Sequence, residues 1–342
     1  MELRYLEDVS IKKAIIHVLD KGGDEPVLND ELLDIGDAFL NEFITKHVIK
    51  SLSNDSAENI VFNKDEFIIQ YLNKLQDNES FIEYSKKIAR KLFGLIKSDE
   101  AIPSSDLIIC ELSNNGKRFY GILKLDYQLS YTHEIDYIDD KFQVSLKPYT
   151  IGLPASSQQL KKCVFISESN DDYSGLLLNV DKKSDNEFKR NYFVTEFIKA
   201  KREIDNTQKT KIIKKEVENW TRKNLKEDID KASDLREKLN ECLIEDDDIS
   251  IEEITKEFLT VEQNEDMRNH IEKKGINFET PINVDKKWVE KKMKSKSIKT
   301  DTGVTIKGDL EIFKDNAVFE MKRNGDGTVD YIIKNVRNIL ER

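Results

Sequence analysis

Seven lysines fall within the fourteen residues from 286 to 299: Lys286, Lys287, Lys291, Lys292, Lys294, Lys296 and Lys299, with Glu290 the one acid among them. Lysines at this density act as point charges that neutralise phosphates and displace counterions, without reading base sequence. Trp288 lies inside the block and could stack on a base or anchor the segment. A second basic block runs from Lys199 to Lys226, with ten Lys or Arg against four Asp or Glu. A helix that buries Ile213, Val217 and Trp220 would turn Lys211, Lys214, Lys215, Arg222 and Lys223 outward. Between the blocks, residues 227 to 266 hold sixteen acids and four bases. The plainer reading of both blocks is therefore a solvated helix face matched by that acidic stretch, where exposed pairs are worth only about 0–1 kcal/mol each.

Other reactive groups give weaker signals. Asp309, Glu320 and Lys322 stand in the order that restriction-type nucleases use, two carboxylates for Mg²⁺ and a lysine for the attacking water. The pattern is short, common by chance, and set in a module that looks too small for such an enzyme. His17, His47, His133 and His270 are isolated, without partners at metal-ligand spacing, and read as structural. No phosphate-cradling loop, dinucleotide fingerprint or nucleophile elbow occurs, so no cofactor, metal or catalytic residue is expected. Glu245-Asp246-Asp247-Asp248 lacks the glycine and spaced oxygens of a calcium loop. It suits a helix connection, or a surface that recruits a basic protein partner.

The whole chain is acidic. Its 342 residues carry a formal net charge of −11, so any contact with nucleic acid must be local. Charged residues make up 35% and apolar residues 38%, enough for a core under a wet surface. Three cysteines, odd in number and far apart, fit a reducing compartment. No apolar run reaches the roughly 18 residues of a membrane span. The N-terminal residues show no secretory signal, and the expected location is the cytoplasm.

The elements that must position these groups read as α+β: an antiparallel sheet with flanking helices, a helical middle region and a small C-terminal β-rich module. The boundaries expected are 1–187, 188–284 and 285–342. Residues 9–19 read as a strand. Phe39, Leu40, Phe43, Ile44, His47 and Val48 form one helical stripe. Asn63 and Glu66 suggest a capping box that opens a helix burying Phe67, Ile68, Tyr71, Leu72 and Leu75. A further helix carries Phe81, Tyr84, Ile88, Leu92 and Leu95. Asn115-Gly116 between two apolar runs predicts a tight hairpin. Phe142–Leu146, Cys163–Ser167 and Leu176–Val180 are further strands. Leu235, Leu239 and Leu243 continue the helical pattern, and Ser250 with Glu253 suggests another capping box. Asn324-Gly325-Asp326-Gly327 reads as a turn. Apolar positions left exposed in the helical region would allow a homodimer.

Three segments carry a family likeness: Ile11 to Asp20, Tyr120-Gly-Ile-Leu-Lys-Leu-Asp-Tyr127, and the stretch from Ile298 through Asn324-Gly-Asp-Gly-Thr328 to Val336. In order and spacing the chain resembles the bacterial nucleoid-associated proteins of the NdpA type. The resemblance implies a DNA-associated role in the nucleoid with no enzymatic activity. It supplies no residue-level functional motif.

Overall fold

The computed structural model describes residues 3–6, 8–169, 172–180, 191–325 and 328–338. The chain divides into two compact units, one up to residue 203 and one from residue 204.

The first unit is built on strands β1 (Ser10–Leu19), β2 (Val27–Leu28), β3 (Glu58–Phe62), β4 (Ser105–Asn114), β5 (Lys117–Asp126), β6 (Gln128–Ile138), β7 (Lys141–Gly152), β8 (Lys162–Ser169), β9 (Asp172–Asn179) and β10 (Lys201–Arg202). Its helices are α1 (Ala38–Leu52), α2 (Phe67–Leu72), α3 (Asn78–Ser98) and a π-helical turn at Phe193–Ile198. Eight strands form one sheet in the order β10-β3-β9-β8-β5-β4-β1-β2, and every pairing is antiparallel. Both faces are buried. Ile15, Ile109, Ile122, Val164 and Leu177 stand side by side across five strands and pack under α2, α3 and the π-helical turn. One residue along, Ala14, Cys110, Phe165 and Leu176 face α1. Two-sided burial explains why β4 and β5 read as nearly continuous apolar runs rather than alternating ones. Each such side chain contributes about 1.5–3 kcal/mol on burial. Gly121 stands in the second row, where a Cβ would sit 2.9 Å from Cys110 Sγ and 3.2 Å from the Phe165 ring. Only glycine fits there. Asn115 and Gly116 turn the β4–β5 hairpin with φ of 49° and 77°, the two positive values a tight turn needs.

Local signals in the sequence were met unevenly. Asp37 caps α1 through the amides of Phe39 and Leu40, and Asp77 forms a capping box with Ser80. Phe39, expected on the buried stripe of α1, is 86% exposed. It lies five residues before Ile44, about 140° round the helix from that buried position. The Asn63 capping box does not form. The helix begins at Phe67 with Glu66 at its cap position, and the Glu66 side chain makes no cap bond.

Strands β6 and β7 leave the sheet and, among the described residues, pair only with each other. They make an exposed two-stranded ribbon about 35 Å long at the usual rise per residue. Asp139 and Asp140, with φ of 51° and 58°, turn it at the tip.

The second unit holds α4 (Asn206–Asn224), α5 (Ile229–Glu245), β11 (Asp248–Ile249), α6 (Ile251–Phe258), α7 (Val261–Glu272), β12 (Ile282–Asn283) and α8 (Lys286–Lys292). The hairpins β13 (Ser295–Lys299) with β14 (Thr305–Asp309) and β15 (Phe319–Arg323) with β16 (Val329–Ile333) follow, with α9 (Leu310–Lys314) between them. Ile213, Val217, Trp220, Leu235, Leu239 and Leu243 are buried, as their helical spacing requires. Ser250 caps α6 through the Glu253 amide. Asn324 lies at the end of the β15–β16 hairpin, its amide donating to the Thr328 carbonyl at 2.9 Å. Asp326 and Gly327 lie outside the described residues, as does the 187–188 boundary.

His17 is fully buried. Its Nδ1 accepts from the Asn29 amide at 3.2 Å, which leaves Nε2–H to donate to Ser85 Oγ at 3.0 Å. Burial, and then the charges of Lys86 and Arg90, bring its pKa down to about 4. The unfolded chain therefore binds a proton between pH 6.5 and 4 that the folded chain refuses. The stability so gained is complete above pH 6.5 and is lost as pH falls towards 4, by about 3 kcal/mol. Urea unfolding at pH 7 and pH 4.5 should show this loss, and His17→Gln should reduce the slope.

Candidate nucleic-acid interface

The first basic block folds as α8 and the strand after it. Asp285 caps the helix by accepting from the Trp288 amide at 3.0 Å. Trp288 and Val289 turn inward and are buried. The tryptophan is an anchor, and its burial forces the opposite side of the short helix outward. Lys287, Lys291, Lys292, Lys294 and Lys299 are exposed. The side chain of Lys296 lies outside the described residues. Lys286 is half-buried and donates to the carbonyls of Leu243 and Ile244 at 3.4 and 2.9 Å. These belong to the last turn of α5, where open carbonyls favour a cation.

The second block lies largely on α4. Trp220 Nε1 donates to Asp266 Oδ2 at 2.7 Å and fixes the buried face. Lys211, Lys215 and Arg222, at i, i+4 and i+11, share the side away from it. Arg222 and Lys223 stand in the last turn, exposed and favourably placed against the helix dipole. Lys214 is turned towards α5 and donates to Asn240 Oδ1 at 2.8 Å. Burial brings its pKa down to about 8, against the opposing pull of Glu218.

The fold joins the two blocks. Thr207 Oγ1, in the first turn of α4, donates to Asp285 Oδ2, and the Asp285 amide donates to Thr210 Oγ1 at 3.1 Å. The residue that caps one basic helix is thus held by the first turns of the other, although 75 residues separate Thr210 from Asp285. Lys214 and Lys286 also reach the same end of α5, at residues 240 and 243–244. Those positions are about 5–6 Å apart along the axis. No local signal in the sequence marks this junction.

Acids within and between the blocks pair with several partners. Arg268 meets Glu252, Glu265 and Glu279, Arg236 meets Glu218, Lys256 meets Glu252, and Arg323 meets Asp230 and Asp234. Glu245, Asp246, Asp247 and Asp248 are exposed.

The nuclease-like trio is divided between two hairpins. Asp309 ends β14 and precedes α9, while Glu320 lies on β15 and pairs with Lys334. That pairing holds the Glu320 carboxyl below its ordinary range. Among the described residues no group of three or more His, Cys, Asp or Glu is placed to hold a metal ion. His47 Nε2–H donates to the Pro154 carbonyl at 3.2 Å, and His270 lies 3.0 Å from Glu216. Cys110 and Cys163 are buried free thiols, and burial pushes the latter up to about 12. Neither is poised as a nucleophile.

Sequence reasoning missed one polar cluster at the end of the sheet. Lys124, fully buried, donates to the Pro103 carbonyl at 3.1 Å and pairs with Asp126. Tyr127 donates to Asp106 Oδ1 at 2.7 Å. Burial raises the Asp106 carboxyl, and burial followed by the bond to Asp106 raises the Tyr127 hydroxyl. Three of these residues lie in the segment Tyr120–Tyr127. That segment is demanding because it places Gly121 in a crowded row and a buried ion pair three residues later.

Residues 15–341 match the family model described as nucleoid-associated protein YejK. A search of curated proteins found no match. The chain belongs to the nucleoid-associated protein YejK family, for which NdpA is another name.

Proposed function

We propose that this protein is a non-catalytic nucleoid component that binds DNA by its phosphate backbone, weakly and without strong sequence preference. The observation that carries this reading is the junction at Asp285, which brings two basic segments distant in sequence onto one region of one unit. Lys287, Lys291, Lys292, Lys294 and Lys299 supply one half of the surface. Lys211, Lys215, Arg222 and Lys223 supply the other. Lys214 and Lys286 hold the helices to α5 and act as scaffold more than contact. Each phosphate neutralised releases counterions, so affinity grows with the number of cations brought together. The chain's net charge of −11 repels DNA elsewhere and keeps the contact local. Membership of the family supports a place in the bacterial nucleoid, in the cytoplasm. Among the described residues no helix is long and apolar enough to cross a membrane.

A second reading rests on the exposed run Glu245–Asp248. There the acidic surface recruits a basic, DNA-processing partner and DNA is met only through it. A homodimer is compatible with either reading.

Gel-shift titration of a duplex over several salt concentrations separates them. Direct binding predicts a dissociation constant that rises steeply with salt. Changing Lys291, Lys292, Lys294 and Lys296 to Glu should weaken binding about 10- to 100-fold and flatten the salt slope by roughly one per lost phosphate contact. A constant indifferent to salt would sink direct contact and favour the adaptor. Asp285→Ala removes no cation, yet it deletes the cap on Trp288 and the carboxylate that accepts from Thr207. It should lower the unfolding free energy by about 1–2 kcal/mol and weaken DNA binding as well. Plasmid incubated with Mg²⁺ should stay intact. Cleavage that disappears in Glu320→Ala would instead mark a nuclease.

A further inference from the structure

The β6–β7 ribbon separates its side chains into two unlike faces. The register pairs Tyr131 with Pro148, His133 with Leu146, Ile135 with Val144, and Tyr137 with Phe142, so these residues share one face. The alternate pairs, Thr132 with Lys147, Glu134 with Ser145, Asp136 with Gln143, and Ile138 with Lys141, make a mostly polar back. On the apolar face Tyr131, Ile135, Tyr137, Phe142, Val144 and Leu146 are between 57% and 75% exposed. Large apolar side chains at that exposure present roughly 700–800 Å² in one stripe. The largest apolar patch on an ordinary monomer is about 300–600 Å². A hairpin alone is marginal in water and needs its apolar face covered.

We infer that this stripe is a dimerisation surface, and that its occupant is the same stripe of a second copy of this chain. Three observations favour a copy. The exposed area matches the roughly 800 Å² that each partner contributes to a standard interface. The face carries no carboxylate or ammonium group. Glu134, Asp136, Lys141 and Lys147 point to the back, two acids against two bases, with Lys147 paired to Glu134. Two acidic chains can therefore meet here without placing like charges together. Finally, a two-fold axis through the middle of the ribbon brings a stripe onto its own image. The ribbons then run antiparallel and their Asp139–Asp140 tips lie about 30 Å apart, well beyond the screening length of about 8 Å. The result is a four-stranded sandwich with its apolar side chains interdigitated, the usual way two sheet faces close. This surface is distinct from the basic one and does not depend on DNA binding.

Sedimentation velocity of the full chain, from about 1 to 100 µM, tests the inference. The wild type should sediment as a dimer at the upper end. Ile135→Glu with Val144→Glu should raise the dimer dissociation constant about 100-fold or more, because each copy would bury unpaired carboxylates. Its far-UV circular dichroism should be unchanged. Thr132→Glu, on the polar back, should leave the dimer intact. Hydrogen exchange on the wild type decides the matter even if the double variant misfolds. Amides of residues 128–152 should exchange more slowly as concentration rises. A wild type that stays monomeric at 100 µM, a double variant that still dimerises, or ribbon exchange indifferent to concentration would each overturn it.

Discussion

Burial of the sheet on both faces is the constraint on which the first unit depends. A strand covered from both sides must be apolar at successive positions. It must also leave room where its neighbours are large. Ile109, Ile122 and Val164 meet one layer of helices, and Cys110, Gly121 and Phe165 meet the other. The same constraint ends the sheet. Where Lys124, Asp126 and Tyr127 enter, buried polar groups must find partners, and they find each other, the Pro103 carbonyl and Asp106. Immediately beyond, at Gln128, the strands leave the sheet as the ribbon. Polar groups are expensive to bury unless paired, so this corner is tightly specified.

The second unit is governed by charge. Its acids outnumber its bases, yet half of the bases fall in two blocks that the fold brings together. Asp285 makes this possible through three bonds, as cap to one helix and partner to two threonines of the other. The lysines nearest the junction, Lys214 and Lys286, go to packing rather than display. This is the general fate of long cations near a helix interface, where the stem is buried and the head finds an oxygen. The exposed lysines lie further out, on the side of each helix away from its buried face.

The basic surface and the apolar ribbon belong to different units and different physics. Phosphate contact is long-ranged, salt-sensitive and tolerant of small displacements. Apolar contact between ribbons is short-ranged and indifferent to salt. A dimer joined through the ribbon would double the cations that one assembly offers a duplex, and linked weak contacts add affinity without any new interaction.

Much of the fold was legible in the chain because its causes are local. The Asn115-Gly116 turn, the Ser250 cap, the α3 stripe and the buried faces of α4 and α5 all follow from neighbours within a few residues. Local reading failed at Phe39, which lies off the covered face of its helix, and at Asn63, whose capping box does not form. The sequence by itself determined an acidic α+β chain, its two basic blocks and its family. The tertiary structure alone decided that α4 and α8 meet at Asp285, that Lys214 and Lys286 turn inward, and that the apolar stripe of β6 and β7 stays uncovered. Those outcomes depend on pairings between residues tens of positions apart, and on register across a hairpin. Composition and spacing along one strand do not encode them.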